Sequence, residues 1–331
     1  MNSNATASYV LPLRSREDLS PGEFTDYLRW IAEKLEVVVV DASDEDVFSK
    51  HEAAWSDFVV HVRPDPHLRC LNGKVWGVLT GLSLASHDKV VIADDDVRYE
   101  NAALTRAIDL LGDFDLVRPQ NYFEPLPWHA RWDTARALLN RSFGRDFPGT
   151  LGVRARLLRR MGGYDGDVLF ENLELMRSIV AAGGSSVSPL DLYVRRLPPG
   201  TDHFWSQRVR QAYDEFTLPA RLVAFLSVVP VLVFAVAQRR YPGIALSAGA
   251  MVALAEVGRR RAGGVRYFPA STSWFAPAWV LERGICMWLA LGRRSCGGVR
   301  YGDARIRRAA TPRRELNRRV REEVPAAGWG L

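Results

Sequence analysis

Short apolar runs separated by more polar stretches fill the first part of this 331-residue chain. The runs are continuous and partly β-branched, which is typical of strands buried on both faces of a parallel sheet. They cover Tyr9–Leu13, Val37–Val40, Asp57–Val62, Lys89–Ala93 and a further run over 114–118. Each run therefore predicts a strand.

The intervening stretches carry helical signals. Ser20–Glu23 resembles a helix N-terminus, and apolar residues follow it at helical spacing: Phe24, Tyr27, Leu28, Ile31 and Leu35. Further helices are predicted over 72–86 and 101–111. Strands that alternate with helices are typical of a doubly wound, mostly parallel α/β sheet with helices on both faces.

The pattern changes after Thr217. Leu218–Ala237 is an apolar run of twenty residues with a single charge, Arg221. As a helix it would be about 30 Å long, which matches the hydrocarbon core of a bilayer. A second run, Ile244–Leu254, is shorter and only marginal as a span. Buried helices of a soluble core remain the alternative for both runs.

A third apolar run, Trp274–Leu291, contains two charges, Glu282 and Arg283. Such charges do not suit a bilayer interior, whereas tryptophans suit the headgroup region. The tryptophans in question are Trp274, Trp279 and Trp288. We therefore predict that this helix lies on the membrane surface.

Charge is divided unevenly along the chain. Residues 238–331 hold 18 Lys and Arg against 6 Asp and Glu, a balance of +12, whereas the rest of the chain has a balance of −6. A basic tail suits nucleic acid or an anionic membrane. Aromatic residues do not interleave with the basic ones as they do in single-strand binding platforms, so we favour the membrane and exclude nucleic acid. No apolar signal-peptide core occupies the first thirty residues, so the N-terminal part is expected on the cytoplasmic side of the cell membrane.

Three consecutive carboxylates, Asp94, Asp95 and Asp96, follow the apolar run Lys89–Ala93. Ligands of open α/β sheets bind at the carboxyl ends of strands. Alternation along an extended backbone places Asp94 and Asp96 on one side and Asp95 on the other. Mg²⁺ or Mn²⁺ bound by one or two carboxylates and by substrate phosphates would relieve the repulsion between these side chains. A solvated acidic turn remains the alternative.

An ordered set of short motifs resembles the family-2 glycosyltransferases of GT-A fold over roughly residues 8–216. The set comprises Asp41-Ala42-Ser43, Gly73-Lys74, Asp94-Asp95-Asp96, Gly162-Gly163-Tyr164-Asp165 and Glu171-Asn172-Leu173-Glu174-Leu175. The segment Gly297–Tyr301, preceded by apolar runs, resembles the membrane-bound branch that includes ceramide glucosyltransferase-like enzymes. The resemblance implies a GT-A catalytic domain.

The resemblance also implies roles for single residues. Asp41 would accept a hydrogen bond from the nucleotide base, and Lys74 would join the donor-binding residues. Asp94 would face the nucleotide-sugar and Asp96 would bind the metal. Gln207 and Arg210 match the start of a QxxRW motif that closes over the donor pyrophosphate, although Gln211 occupies the tryptophan position of that motif.

The largest departure from the family is Asn172, where an aspartate usually serves as catalytic base. An amide cannot accept the proton of the acceptor hydroxyl. We therefore predict Glu171 as the base, with Glu174 on the same helical face as the nearest competitor. Asp165, or a chain without a base, remains a further alternative.

These arguments predict a catalytic domain over 1–216 and a membrane-associating region with a basic tail over 217–331. The expected reaction is inverting sugar transfer from a UDP- or GDP-sugar to a lipid-linked or membrane-borne acceptor. Two other functions stay open: a metal-dependent nucleotidyltransferase, and a non-catalytic nucleotide-sugar-binding or scaffold protein.

Overall fold

The computed structural model describes residues 5–144, 146, 148–301 and 304–323. It divides the chain into two compact units, each made from separate stretches. The sheet unit contains the described residues of Met1–Pro119, Pro148–Val187 and Ala310–Leu331, and the helical unit those of Gln120–Phe147 and Ser188–Ala309. The division into a catalytic region 1–216 and a membrane region 217–331 stays a prediction.

The strands are short and numerous. In chain order they are β1 (Ser8–Leu13), β2 (Glu36–Asp41), β3 (Val60–Val62), β4 (Lys89–Ala93), β5 (Val97–Arg98), β6 (Leu116–Val117), β7 (Gln120–Phe123), β8 (Thr150–Arg154), β9 (Ser186–Val187), β10 (Tyr193–Arg196), β11 (Val299–Tyr301) and β12 (Ala304–Ile306).

In chain order the α-helices are α1 (Glu23–Ala32), α2 (Glu45–Trp55), α3 (Gly73–Leu84), α4 (Asn101–Leu110), α5 (Trp128–Ser142), α6 (Ala155–Arg160), α7 (Glu171–Ala181), α8 (Thr201–Ala212), α9 (Pro219–Ala237), α10 (Tyr241–Arg260), α11 (Ala276–Ser295) and α12 (Arg313–Glu323). The longest α-helices of the described residues are α9, α10 and α11, with 19, 20 and 20 residues.

A seven-stranded sheet in the order β3-β2-β1-β4-β8-β6-β9 forms the centre of the sheet unit. The strands β3, β2, β1 and β4 run parallel, and β8 pairs antiparallel with both β4 and β6. The predicted α/β class with a mostly parallel sheet is therefore confirmed. The first four strands all end at one edge of the sheet, and Asp94 follows the last of them.

Two predicted strands are shorter in the structure than in the sequence pattern. In the run Asp57–Val62, only Val60–Val62 pairs as β3. The backbone N–H groups of Phe58 and Val59 instead donate to the carbonyl of Trp55 and close the end of α2. In the run 114–118, only Leu116–Val117 forms β6. An apolar run predicts burial, whereas strand length depends on which backbone groups find a neighbouring strand.

Helix α3 packs unusually close to β1. A Cβ atom on Gly77 would lie 2.8 Å from Cβ of Pro12, and one on Gly81 would collide with the side chain of Val10. Glycine at these positions lets the helix approach the strand backbone. The N-terminus of α3, which carries Lys74, is thereby held at the carboxyl edge of the sheet.

The helical unit is built around α5, α10 and α11, with β7 and β10 paired in parallel. Its core contains large aromatic and aliphatic side chains: Tyr122, Leu138, Leu139, Tyr193, Phe268 and Trp279. Helix α9 packs against α11, where a Cβ on Gly284 would lie 2.8 Å from Cβ of Val228.

Two segments of the helical unit are long and apolar enough to cross a membrane, Pro219–Ala237 and Tyr241–Arg266. None of the side chains of α9 is fully buried, and Val231 and Val233 are 63 % and 62 % exposed. Length and composition alone make this weak evidence for a span, because core helices of soluble proteins can share both features.

Helix α11 differs in part from its prediction. Trp274 and Trp288 are exposed, but Trp279 is only 2 % exposed and packs in the core of the helical unit. Its assignment to the headgroup region is therefore wrong. Glu282 and Arg283 are also buried within this unit, so their charges do not mark the solvent-facing side of the helix.

Candidate functional site

The candidate site lies where β4 ends. Asp94 and Asp96 are half-buried and Asp95 is exposed. The turn is held by the N–H of Val97, which donates to the Asp94 carbonyl at 3.1 Å, and by the Arg98 guanidinium, which donates to the Asp95 carbonyl at 2.6 Å. The side chains of Asp94 and Asp96 are therefore less exposed to solvent than that of Asp95.

Lys74 joins this turn to helix α7. Its Nζ lies 2.6 Å from Oδ1 of Asp94 and 3.0 Å from Oε1 of Glu171. Burial alone would lower the pKa of Lys74, but the two carboxylates outweigh burial and raise it above its usual value. One ammonium therefore bridges two carboxylates that are 77 positions apart in the chain.

Asn72 fastens the start of α3 and was not anticipated as a site residue. Its Oδ1 accepts the backbone N–H groups of Lys74 and Val75, and its Nδ2 donates to the Val168 carbonyl at 3.0 Å. The same Nδ2 lies 3.5 Å from Oε2 of Glu171. Asn72 was predicted as the first residue of a helix over 72–86, and an asparagine at a helix start is an N-cap signal that could have identified it.

Asn172 occupies the position at which the resembled family usually has its catalytic base. Both the nitrogen and the oxygen of its side-chain amide have a hydrogen-bond partner. Its Nδ2 donates to the Pro148 carbonyl at 3.1 Å, and its Oδ1 accepts from Nζ of Lys74 at 3.4 Å. A carboxylate could not make the first of these bonds because it has no N–H group. The asparagine therefore ties α7 to the segment before β8.

Glu174 points away from this cluster. It is fully buried, and its Oε2 accepts the backbone N–H of Thr311 at 2.7 Å. Burial raises the pKa of Glu174 despite this bond. Within the described part of the chain its Oε1 has no hydrogen-bond partner. The geometry gives Glu174 a structural contact to the C-terminal segment and places only Glu171 beside Lys74.

Asp41 is buried, and three donors surround its carboxylate. The backbone N–H of Ser43 donates to Oδ1 at 2.8 Å, while His51 Nδ1 and His61 Nε2 lie 2.7 and 3.2 Å from Oδ2. His51 Nε2 accepts the backbone N–H of Leu19, so the ring proton is on Nδ1. Burial would raise the pKa of Asp41, but the hydrogen bonds outweigh it and lower the pKa well below its usual value.

The side chains of Asp41, His51 and His61 could also hold a metal ion by composition. In the described residues, each offers one ligand atom, and these atoms lie within 4.8 Å of one another. Their arrangement is explained by hydrogen bonds, because His51 offers a proton towards Asp41 and its other nitrogen is already used. The oxygen ligands at the end of β4 are the better match to Mg²⁺ or Mn²⁺, which favour carboxylates.

Gln207 and Arg210 lie on α8 in the helical unit. Arg210 Nη1 donates to Oε1 of Gln207 at 3.1 Å, so the two predicted donor-binding side chains contact each other. Arg208 lies between them in sequence but is buried, and it pairs with Glu282 and Asp133. Trp205 is 47 % exposed and contacts Trp128.

No protein-family model matches the chain, and no curated protein sequence matches it. Among solved structures, its fold is similar to that of a mannosyltransferase from Pyrobaculum calidifontis in complex with GDP-Man and Mn²⁺. The identity is 19 %, the match covers 86 % of this chain and 87 % of that chain, and the TM-score is 0.51.

A weaker likeness links the chain to glucosyl-3-phosphoglycerate synthase from Mycobacterium tuberculosis. The structure with Mn²⁺ and UDP-glucose is 16 % identical, with 61 % of this chain and 74 % of that chain covered and a TM-score of 0.41. The structure with phosphoglyceric acid is 18 % identical, with 60 % and 75 % covered and a TM-score of 0.41. The mannosyltransferase match shows that this chain has a GT-A-type fold, and the second likeness adds nothing to that conclusion.

Proposed function

We propose that the chain is a metal-dependent glycosyltransferase that moves a sugar from a UDP- or GDP-sugar to a membrane-borne acceptor. The observation that carries this proposal is the bridge of Lys74 between Asp94 and Glu171 at the carboxyl edge of the sheet. It brings a candidate phosphate-binding cation, a candidate metal ligand and a candidate base together in a GT-A-type fold.

The donor set suits a hard divalent cation. Asp94 and Asp96 offer carboxylate oxygens on a half-buried turn, which Mg²⁺ and Mn²⁺ accept together with phosphate oxygens. When bound, the ion would offset negative charge on the leaving diphosphate. Lys74 supplies a further positive charge beside Asp94, and Gln207 and Arg210 would contact the donor pyrophosphate as the family resemblance implies.

Glu171 is proposed as the base. Its carboxylate is 15 % exposed, Lys74 holds one of its oxygens, and it sits at the first position of α7. It would accept the proton of the acceptor hydroxyl while that oxygen bonds to the anomeric carbon. The bond from that carbon to the diphosphate oxygen breaks, and the nucleoside diphosphate leaves. A single displacement inverts the anomeric centre.

A membrane-borne acceptor is supported by the two long apolar helical segments and by the basic C-terminal region. Both features accord with the resemblance to the ceramide glucosyltransferase-like branch. We propose that the protein lies at the cell membrane with its catalytic unit on the cytoplasmic side. Salt should not release it from membranes, and detergent should. Release by salt alone would leave surface charge as the anchor.

The test of the reaction is donor turnover by the purified full-length chain in detergent, with a panel of nucleotide-sugars. We expect release of UDP or GDP that chelator abolishes, and a fall of about 10²–10³-fold in Asp96→Asn, because an amide is a poorer ligand. Arg156→Ala, a surface change on the other side of the sheet unit, is the control. Turnover that survives chelator contradicts the metal assignment.

Two outcomes would replace the proposed reaction. Nucleotide-sugar binding without any turnover supports a non-catalytic binding protein. Release of pyrophosphate, rather than of a nucleoside diphosphate, supports a nucleotidyltransferase.

A further inference from the structure

We infer that Arg63 recognises the nucleobase of the donor and favours guanine and uracil, which carry an oxo group at C6 or C4, over adenine and cytosine, which carry an amino group there. The inference rests on the proposed function, because it concerns the nucleotide of the same donor. It differs from the sequence-based expectation, which gives the base contact to the carboxylate of Asp41.

The carboxylate of Asp41 is poorly placed to accept another hydrogen bond. The side chain has no exposed surface, and Ser43, His51 and His61 already donate to its two oxygens. A base that approached it would have to displace a buried donor, and that donor would lose its partner. The carboxylate instead holds the loop that follows β2.

Arg63 is a charged side chain at the same edge of the sheet that solvent can reach. It follows β3 directly, and the register of Val40 with Val62 in the parallel pair β2–β3 sets it beside Asp41. Its side chain is 37 % exposed. The carboxyl edge of parallel strands is where ligands of open α/β sheets bind.

The plane of the Arg63 guanidinium is fixed before any ligand arrives. The guanidinium lies 3.7 Å from the centre of the Phe48 ring, and Phe48 in turn stacks on His61 with ring centres 4.4 Å apart. Nη1 donates to the carbonyl of Ser43, and Nη2 lies 2.7 Å from Oε2 of Glu45. The stack therefore links the buried Asp41 cluster to an exposed cation.

A guanidinium carries five N–H donors and no acceptor. Two of the five are used by Ser43 and Glu45 in the described residues, which leaves donors for a ligand. Guanine and uracil present an oxo group where adenine and cytosine present an amino group. An amino group cannot accept from the guanidinium, so Arg63 discriminates between the two classes as arginine does in DNA grooves.

The experiment measures binding of GDP, UDP, ADP and CDP, each with Mn²⁺, to the full-length protein in detergent by titration calorimetry. We expect wild type to bind GDP or UDP at least about tenfold more tightly than ADP and CDP. Arg63→Lys keeps the positive charge but loses the planar set of guanidinium N–H donors. The preference for GDP or UDP over ADP and CDP should therefore fall below about threefold. Arg63→Gln should do the same.

Asp41→Asn should retain the preference, even if the affinity for every nucleotide falls, and Arg156→Ala should match wild type. Arg156 is 65 % exposed and pairs with Asp88, which precedes β4 and so lies away from the carboxyl edge. Loss of the preference in Asp41→Asn, with retention in both Arg63 variants, would overturn the inference. Wild type that binds all four nucleotides equally would also overturn it and leave the proposed function intact. No binding of any nucleotide would instead remove the proposed function.

Discussion

Two clusters of charged side chains, one in each unit, show how differently buried ions can be used. In the sheet unit the ammonium of Lys74 contacts two carboxylates, Asp94 and Glu171. A third carboxylate, Asp96, follows Asp94 by two residues. In the helical unit the guanidinium of Arg208 contacts Glu282 at 2.6 Å and Asp133 at 3.0 Å.

The helical cluster is closed. Arg136 pairs with Asp133 and with Asp146, so two guanidinium groups contact three carboxylates, and Arg208 is 2 % exposed. Burial would raise the pKa of Asp133, but Arg136 and Arg208 outweigh it and lower the pKa. Each of these five groups has a partner of opposite charge, which a buried ion network needs in order to be stable.

The cluster of the sheet unit is open. In the described residues it holds three carboxylates and one ammonium, and the side chains of Lys74, Asp94 and Glu171 are 15–23 % exposed. Excess carboxylate at a strand end costs free energy unless a cation arrives. The comparison therefore agrees with the proposal that the first cluster binds ligand, whereas the second stabilises the helical unit.

The largest effect should come from Glu171→Gln. Because a positioned base contributes about 10²–10⁴ in rate, turnover should fall by that factor. Donor affinity should stay within about threefold, since the amide oxygen can still accept from Lys74. Steady-state turnover and donor titration on the same preparation check both parts. A variant that turns over at the wild-type rate would show that the open cluster does not supply the base.

Arg208→Met should instead damage stability. Removal of one partner leaves Glu282 and Asp133 buried without their shared cation, which typically costs about 3–5 kcal/mol. We expect the melting temperature in detergent to fall by roughly 10 °C. Arg260→Met, a change at a 71 % exposed arginine of the same unit, should shift it by no more than a few degrees. Equal shifts in the two variants would mean that the closed cluster does not stabilise the fold.

Asn172→Asp should have a smaller effect. The carboxylate loses the hydrogen bond that the amide donates to Pro148 but keeps its contact with Lys74. We expect a loss of about 1 kcal/mol of stability, because a carbonyl is left without its donor. Thermal melting and turnover should both be measured. If an inactive wild type gains activity in this variant, the natural protein is a non-catalytic binder.

The smallest effect concerns pH and Glu174. Its folded-state pKa lies above the usual value of 4.5, so the folded protein holds this proton more tightly than the unfolded chain does. The stability that this carboxyl contributes is complete below about pH 4.5 and is lost as the pH rises above that value. The melting temperature of wild type should therefore fall relative to that of Glu174→Gln as the pH rises above about 4.5, with turnover changed by less than about threefold. A difference independent of pH would contradict the buried, titrating carboxyl, and a large fall in turnover would restore Glu174 as a candidate base.

Much of the architecture was determined by the sequence alone. Val37–Val40 and Lys89–Ala93 form buried parallel strands, as their uninterrupted apolar runs predict, and Asp94 follows the second at the edge of the sheet. The apolar run Leu218–Ala237 forms a helix, Pro219–Ala237. Periodicity and composition report burial along a segment, so these features could be inferred locally.

Only the tertiary structure decided which distant side chains meet. Lys74 bridges Asp94 and Glu171, Asn172 donates to Pro148, and Glu174 turns to Thr311, which is 137 positions away. Trp279 and Glu282 point into the helical unit although their sequence context suits a membrane surface. A local sequence pattern places a residue on a helix or at a strand end, but the partner of its side chain depends on how the elements pack. An aspartate or an arginine reads the same in the sequence whether it lies in the closed cluster or in the open one. The sequence alone therefore could not tell the two clusters apart.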